Sequence, residues 1–209
     1  EARELLKKSR TKYLVAICDI QLPDAPKGEI IDLVHRADLP IIGLSGKFTD
    51  DFFESMLNKG IIDYVHKDSL NAYSYVVDVV SNLYRNQKIS VLVVDDSPSA
   101  RALIVHMLEL QNFQVIQASD GEEAWGLLQA EPDRFDVVLL DRMMPKMEGI
   151  EVLEKIKAHD VLQYIPTIMQ TASARNEQII EGIEAGAYYY ITKPYEEDMF
   201  RSVVRAAVV

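Results

Sequence analysis

Apolar and polar positions along the second half of the chain follow two kinds of pattern. Short apolar runs that are rich in branched or aromatic residues predict five strands, and helical spacing separates them. The strand patterns lie at 89–94, 113–118, 135–140, 166–170 and 188–192. The helical patterns lie at 98–111, 122–130, 149–158, 175–185 and 196–208. Strands that alternate with helices predict an α/β fold with a parallel sheet covered on both faces.

The first part of the chain repeats this pattern. The segment EARELL matches EAWGLL 122 residues further on, and LPIIGLS matches IPTIMQT 126 residues further on. Length changes of this kind belong in loops and helix ends. The sequence therefore predicts two tandem copies of one domain, at 1–87 and 88–209.

The first copy is incomplete in this sequence. It has no counterpart of 88–122, which carries the first two strands and the first helix of the second copy. Because a five-stranded domain without its central strand should not fold alone, we expect residues before Glu1. A helical pattern at 70–86 runs almost directly into the next strand pattern. The two domains are therefore expected to be held close together.

Composition excludes several classes of protein. The chain has 33 acidic residues against 22 Lys and Arg, a net charge of -11. This balance argues against direct nucleic-acid binding, because contacts to phosphate need clustered Lys and Arg. No apolar run approaches the length of a membrane span, so no membrane partner is expected. The single cysteine, Cys18, excludes an internal disulfide and predicts a reducing, cytoplasmic location.

Polar residues end the predicted strands of the second copy. Asp95 and Asp96 follow the first strand, Asp141 follows the third, and Thr171 and Lys193 follow the last two. In doubly wound sheets, sites form at these carboxyl ends. Clustered carboxylates repel one another unless a hard cation lies among them, and Mg²⁺ needs few of them. The set predicts a magnesium site and phosphoryl transfer to a carboxylate.

These motifs resemble the receiver domains of response regulators in two-component signalling. The second copy contains VVDDS, LLDRMMP followed by Gly149, TAS and YITKP, which together cover its whole length. The resemblance implies a flavodoxin-like domain with five parallel strands and Asp141 as phosphoacceptor. It also implies that Asp95, Asp96, Asp141 and the backbone carbonyl of Met143 hold Mg²⁺.

The resemblance has further implications for the site and for partners. Thr171 and Lys193 would contact the phosphoryl group, Thr171 and Tyr190 would form the switch pair, and the peptide before Pro194 would be cis. A histidine kinase or a phosphotransfer protein would be the donor, as in a phosphorelay. The chain would be a signalling module, and not an independent enzyme. It would control dimerisation or an output domain beyond its C-terminus, such as a diguanylate cyclase.

The first copy carries a second candidate acceptor site at Asp19, Ser45 and Lys67. It departs from the pattern twice, because Asp68 replaces the proline after the lysine and one residue is inserted between Asp19 and Gly28. Whether this copy accepts phosphate is open from the sequence. We expect the second copy to be the dominant acceptor and the first to act mainly as an adaptor.

The same residues allow other interpretations. Asp96 and Ser97 could simply cap the helix at 98, and Asp141 could be a turn residue. An aspartate-nucleophile phosphatase of the haloacid-dehalogenase type needs a second acid two residues after the nucleophile, where Met143 stands. A phosphate-independent tandem scaffold is the remaining alternative, and the intact motifs of the second copy argue against it.

Charge repulsion gives an expectation for stability. Asp95 and Asp96 are like charges at one site, and we expect them to bring no stability without a cation. Replacing both by Asn is therefore expected to stabilise the metal-free domain.

Overall fold

The protein is described by a computed structural model, which covers residues 4, 6, 13–23, 28–37, 39–46, 61–172, 176–194 and 196–208. Most of the segment EARELL, the first residue of the predicted helix at 175–185, and Val209 lie outside these residues. The chain divides into two compact units, which we call the first unit (1–87 with 110–112) and the second unit (88–109 with 113–209). Among the described residues, no helix combines the length and apolar character that crossing a bilayer requires.

The first unit contains a parallel sheet of three strands in the order β1-β2-β3. The strands are β1 (Ala16–Asp19), β2 (Ile41–Ser45) and β3 (Ile61–His66), and the helices are α1 (Glu29–His35) and α2 (Ala72–Asn86). Consecutive residues of β2 face opposite sides of the sheet. Ile41 therefore packs in a cluster with residues of α1, and Ile42 packs in a cluster with residues of α2. The sheet is therefore buried on both faces, as continuous apolar strands predict.

The second unit contains five parallel strands in the order β5-β4-β6-β7-β8. The strands are β4 (Ser90–Val94), β5 (Gln114–Ala118), β6 (Val137–Asp141), β7 (Thr167–Thr171) and β8 (Tyr189–Thr192). The helices are α3 (Pro98–Glu109), α4 (Gly121–Ala130), α5 (Gly149–Lys157), α6 (Asn176–Glu184) and α7 (Glu197–Ala207). This order is that of flavodoxin-like folds. The predicted five-stranded parallel sheet is confirmed.

The core of the second unit has two layers, one on each face of the sheet. Leu92 and Leu140 pack with residues of α4 and α5 on one face. Val93 and Leu139 pack with residues of α3 and α7 on the other face. Because neighbouring strand residues alternate between two apolar layers, β4 and β6 are apolar over most of their length, and an aspartate follows β4 and ends β6.

The strand registers of the two units correspond. β1 and β2 pair Asp19 with Leu44, and β6 and β7 pair Asp141 with Gln170. The two aspartates are 122 positions apart and their partners are 126 positions apart, which are the offsets of the sequence repeat.

A short 3-10 helix at Leu162–Tyr164 is absent from the sequence prediction. His159 Nδ1 accepts hydrogen bonds from two backbone N–H groups at its start. Lys157 Nζ donates to two backbone carbonyls near its end, at 2.8 and 3.1 Å. Side chains at and just after the end of α5 therefore hold this turn, and three residues are too few to show a helical period.

Candidate functional site

Three carboxylates meet at one edge of the second sheet. Asp95 and Asp96 directly follow β4, and Asp141 is the last residue of the neighbouring strand β6. One carboxylate oxygen from each residue lies within 4.8 Å of the others. We call Asp95, Asp96 and Asp141 the carboxylate cluster. The structure thus brings together the three acids that the strand ends predict.

Lys193 lies against two members of the carboxylate cluster. Its Nζ atom is 2.6 Å from Asp95 Oδ2 and 3.0 Å from Asp141 Oδ1. Burial alone would lower the pKa of Lys193, but hydrogen bonds to Asp95 and Asp141 outweigh burial, and its pKa is raised. Lys193 is therefore an ammonium at neutral pH. The peptide that follows it, Lys193–Pro194, is cis, as the resemblance implies.

Asp141 is held in an environment that disfavours its charge. Its pKa is raised above the ordinary value, chiefly because burial penalises the carboxylate. The hydrogen bond and the charge of Lys193 act in the opposite direction, while Asp95 and Asp96 raise the pKa further. The hydrogen bond and the charge of Lys193 therefore do not fully offset the burial penalty on the Asp141 carboxylate.

The carboxylate cluster fits a hard divalent cation. Oxygen is the ligand that Mg²⁺ prefers, and the site needs positive charge beyond that of Lys193. Asp96 is exposed, so the cluster is open to water on that side. Met143, whose carbonyl the resemblance assigns as a further ligand, follows two residues after Asp141 and has an exposed side chain.

The loop after β6 is tied back to the end of that strand. Gly149 N–H donates to the carbonyl of Arg142 at 2.8 Å. A Cβ on Gly149 would overlap the carbonyl oxygen of Asp141, so only glycine allows this approach. This contact explains why a glycine, Gly149, follows the LLDRMMP motif.

The two residues of the predicted switch pair lie on neighbouring strands. Thr171 ends β7 and is buried, and its carbonyl accepts a hydrogen bond from Lys193 N–H at 2.7 Å. Tyr190 lies on β8 and is half-buried. Its hydroxyl accepts a hydrogen bond from Arg142 Nη1 at 3.3 Å. Thr171 is thus tied to the lysine, and Tyr190 to the residue after Asp141.

Three cations near the site are absent from the sequence prediction. Arg101 Nη1 donates to the backbone carbonyl of Asp95, Lys146 forms an ion pair with Asp120, and Arg142 contacts Tyr190. The ion pair with Lys146 lowers the pKa of Asp120. Each cation lies within a few positions of a motif in the sequence, and this proximity could have indicated a role near the site. Their partners, however, depend on side-chain geometry that spacing does not give.

The candidate site of the first unit is simpler. Lys67 forms an ion pair with Asp19, and this contact lowers the pKa of Asp19. Lys67 N–H donates to the carbonyl of Ser45 at 2.9 Å, which repeats the bond between Lys193 and Thr171. Within the described part of the chain, the carboxylate cluster of the second unit is the only group of three acids close enough to hold a metal. The described portion of the first unit therefore offers Asp19 a lysine but no such cluster.

Comparison with known proteins identifies the second unit. A sequence model of the response regulator receiver domain matches residues 91–205, more than half of the chain. The chain belongs to this family. The resemblance to a receiver domain is thereby confirmed for the second copy.

Two regulators show how far the sequence similarity to this receiver extends. The alkaline phosphatase synthesis transcriptional regulatory protein PhoP of Bacillus subtilis (strain 168) is 40% identical over 121 residues, which are 58% of this chain and 48% of PhoP. The transcriptional regulatory protein SrrA of Staphylococcus aureus (strain NCTC 8325 / PS 47) is 39% identical over 105 residues, which are 50% of this chain and 42% of SrrA. The chain spans less than half of the length of these two relatives.

Two solved structures match this chain over different fractions of its length. A two-component system response regulator/GGDEF domain protein matches 99% of this chain and 84% of its own, with a TM-score of 0.84 and 32% identity. The chemotaxis protein CheY4 of Vibrio cholerae matches 57% of this chain and 98% of its own, with a TM-score of 0.53 and 31% identity. The first match therefore extends over nearly the whole chain, whereas the second covers little more than half of it.

Proposed function

We propose that Asp141 of this receiver accepts a phosphoryl group from a histidine kinase or a phosphotransfer protein. The carboxylate cluster and the backbone carbonyl of Met143 would hold Mg²⁺. The observation that carries this proposal is the cluster itself, with its oxygens within 4.8 Å of one another and Lys193 Nζ 3.0 Å from Asp141. Acids, a lysine and a strand-end hydroxyl at Thr171 are the groups that phosphoryl transfer to a carboxylate needs.

The chemistry begins with a carboxylate oxygen of Asp141. This oxygen attacks the phosphorus of the donor and forms an O–P bond, while the bond to the donor's leaving group breaks and its electron pair departs with that group. Mg²⁺, when bound, offsets negative charge on the phosphoryl oxygens. Lys193 exchanges its contact with Asp141 for one phosphoryl oxygen, and the Thr171 hydroxyl donates a hydrogen bond to another.

Phosphorylation then acts through the Thr171 and Tyr190 pair. The changed surface controls dimerisation or an output domain beyond the C-terminus. The names of the matched proteins support two kinds of output, because PhoP and SrrA are named transcriptional regulators and the matched solved structure is named a GGDEF domain protein. A diguanylate cyclase remains our proposal for the output. The chain itself is a cytoplasmic signalling module with no metabolic substrate of its own.

The tandem arrangement is also a proposal. Residues 1–87 form a divergent receiver domain, which in this sequence lacks its first two strands and first helix, and residues 88–209 form a receiver with an intact acceptor site. The corresponding strand registers support this assignment, as does the repeated backbone bond from the lysine to the end of the preceding strand.

A phosphate-independent role is a second candidate function for the first unit. The ion pair between Lys67 and Asp19 favours it, because the lysine already offsets the one carboxylate present among the described site residues. The first unit then acts as an adaptor or scaffold, while Asp141 carries the signal.

Intact mass tests the acceptor assignment. The full chain is incubated with acetyl phosphate, with and without Mg²⁺, and weighed. We expect one phosphoryl group on the wild type only with Mg²⁺, and most of it lost in Asp141→Asn. Asp160→Asn, which changes an exposed aspartate far along the chain from the motifs, is the matched control and should label like the wild type. Labelling of the double variant Asp141→Asn with Asp19→Asn at the level of the wild type would contradict the proposal.

A further inference from the structure

Arg142, the residue after the proposed phosphoacceptor, is almost completely buried. Its side chain is 8% exposed, and arginine is rarely buried unless it is paired. Its backbone is fixed on both sides, because its N–H donates to the carbonyl of Gln170 at 2.9 Å and its carbonyl accepts from Gly149 N–H. The base of this side chain therefore moves only if the end of β6 or the following loop moves.

The guanidinium of Arg142 joins two further elements. Nη1 donates to the hydroxyl of Tyr190 on β8 at 3.3 Å, and Nη2 forms an ion pair with Glu181 on α6. Because the guanidinium donors are held in one plane, the pairing with Glu181 also fixes the direction of Nη1. A lysine has a single nitrogen and cannot reproduce this fork.

Gly182 leaves space for the ring of Tyr190. A Cβ on Gly182 would overlap the Cε2 atom of that ring, so the tyrosine packs directly against the backbone of α6. The residue before it, Glu181, holds Arg142. Tyr190 is thus positioned by two consecutive residues of α6, one through space for the ring and one through Arg142.

We propose that Arg142 is a positioning residue that holds Tyr190 against Gly182 in the unphosphorylated receiver. By doing so it sets how readily phosphorylation moves Tyr190. This inference rests on the proposed function, in which Tyr190 belongs to the switch pair. A contact that exists in one of two states shifts their balance when it is removed. A single hydrogen bond with a charged donor is worth about a tenfold change in such an equilibrium.

A double-mutant cycle tests whether Arg142 acts through Tyr190. The full chain, Arg142→Met, Tyr190→Phe and the double variant are labelled with acetyl phosphate and Mg²⁺, and initial rates are measured by intact mass. We expect Arg142→Met to label about threefold to tenfold faster than the wild type. In the Tyr190→Phe background, which lacks the hydroxyl, the same change should have no effect. An equal effect in both backgrounds would overturn the proposal.

Matched variants separate positioning from loss of an arginine in general. Arg134→Met removes another arginine–glutamate pair of the second unit, at 2.6 Å from Glu131, and should label like the wild type. Glu181→Gln leaves Arg142 in place but removes its ion pair with Glu181. It should therefore raise the initial labelling rate as well, by a smaller factor than Arg142→Met. Melting curves identify any variant that does not fold. If Arg142→Met is one of them, the labelling rate of Glu181→Gln decides the kinetic test.

A spectroscopic readout tests the position of Tyr190 without phosphate. The chain is labelled with 3-fluorotyrosine, and the ¹⁹F resonance of Tyr190 is assigned by its loss in Tyr190→Phe. We expect this resonance to shift in Arg142→Met and in Gly182→Ala, and to stay unchanged in Arg134→Met. An unchanged resonance in Arg142→Met would overturn the positioning role. A wild-type chain that takes up no phosphate would overturn the proposed function and the kinetic part of this inference, while the resonance still decides the position.

Discussion

Lys193 sets the charge balance of the carboxylate cluster. Asp95 is completely buried, its Oδ2 contacts Lys193 Nζ, and its Oδ1 accepts a hydrogen bond from Ser97 N–H at 2.9 Å. These contacts are made by groups of the chain itself. They argue against the sequence-based expectation that Asp95 brings no stability in the absence of a cation. For both Asp95 and the exposed Asp96 the expectation stays a prediction.

The free energy of unfolding should respond differently to replacement of the two acids by Asn. Without metal, we expect Asp95→Asn to lower the free energy of unfolding by about 2 kcal/mol, because charge-assisted hydrogen bonds are lost. Asp96→Asn should leave it unchanged or raise it slightly, because repulsion within the cluster falls. Urea unfolding in EDTA measures both. Added Mg²⁺ should stabilise the wild type more than either variant. An Asp95→Asn variant as stable as the wild type would count against the ion pair with Lys193.

Cys18 provides a pH-dependent probe of the first unit. Burial raises the pKa of its thiol to about 11 from 9.0. The folded chain therefore holds this proton more tightly than the unfolded chain. Its contribution to stability is full below pH 9.0 and is lost as the pH rises towards about 11. At pH 8 we expect a maleimide to react with Cys18 much more slowly in the native chain than in denaturant.

The labelling of Cys18 has a direct control in the same chain. Cys18 is the single cysteine, so the unfolded chain gives the intrinsic rate of the same thiol. Equal rates in the native and unfolded chains would show that β1 does not bury this residue.

At the level of elements, the strands were predictable because parallel strands are buried on both faces. The runs that predict β4 and β6 contain almost only apolar residues, and each stops at the sheet edge where an aspartate begins. The meeting of Asp95 with Asp141 follows from two neighbouring strands ending together. The contact of Arg142 with Tyr190 does not follow, because it depends on side-chain direction between residues 48 positions apart.

Gly126 should destabilise α4 relative to alanine at the same position. It lies inside the helix, and a Cβ placed there meets nothing within 4 Å. We expect Gly126→Ala to raise the free energy of unfolding by about 1 kcal/mol, because alanine loses less conformational freedom in a helix. Chemical unfolding of the two proteins measures this difference.

Gly149→Ala is the matched control for Gly126→Ala. It makes the same chemical change at the first residue of α5, where a Cβ would overlap the carbonyl oxygen of Asp141. This variant should be less stable than the wild type. If both alanine variants change stability in the same direction, the different packing at the two glycines is not what decides the outcome.

At the scale of the whole molecule, the sheets of the two units have corresponding strand registers, but the charges at their candidate sites differ. The second unit places three acids around one lysine, whereas the described residues of the first unit pair one acid, Asp19, with Lys67. The register could be predicted from the repeat of the sequence. The difference in chemistry could be anticipated only in part, from Asp68 in place of proline, because the ion pair itself depends on the fold.

The ranking of the two acceptors tests this difference directly. Asp19→Asn and Asp141→Asn are labelled in the full-length protein under one donor with Mg²⁺. We expect Asp141→Asn to lower the initial rate at least about tenfold, because it removes the acceptor carboxylate that lies beside the proposed metal, and a metal that offsets phosphoryl charge is worth several kcal/mol. Asp19→Asn should change the rate little, since its carboxylate is already paired with Lys67 and has no three-acid cluster among the described residues. If Asp19 is the faster acceptor, the first unit is the signalling receiver and the proposed roles of the two units are reversed.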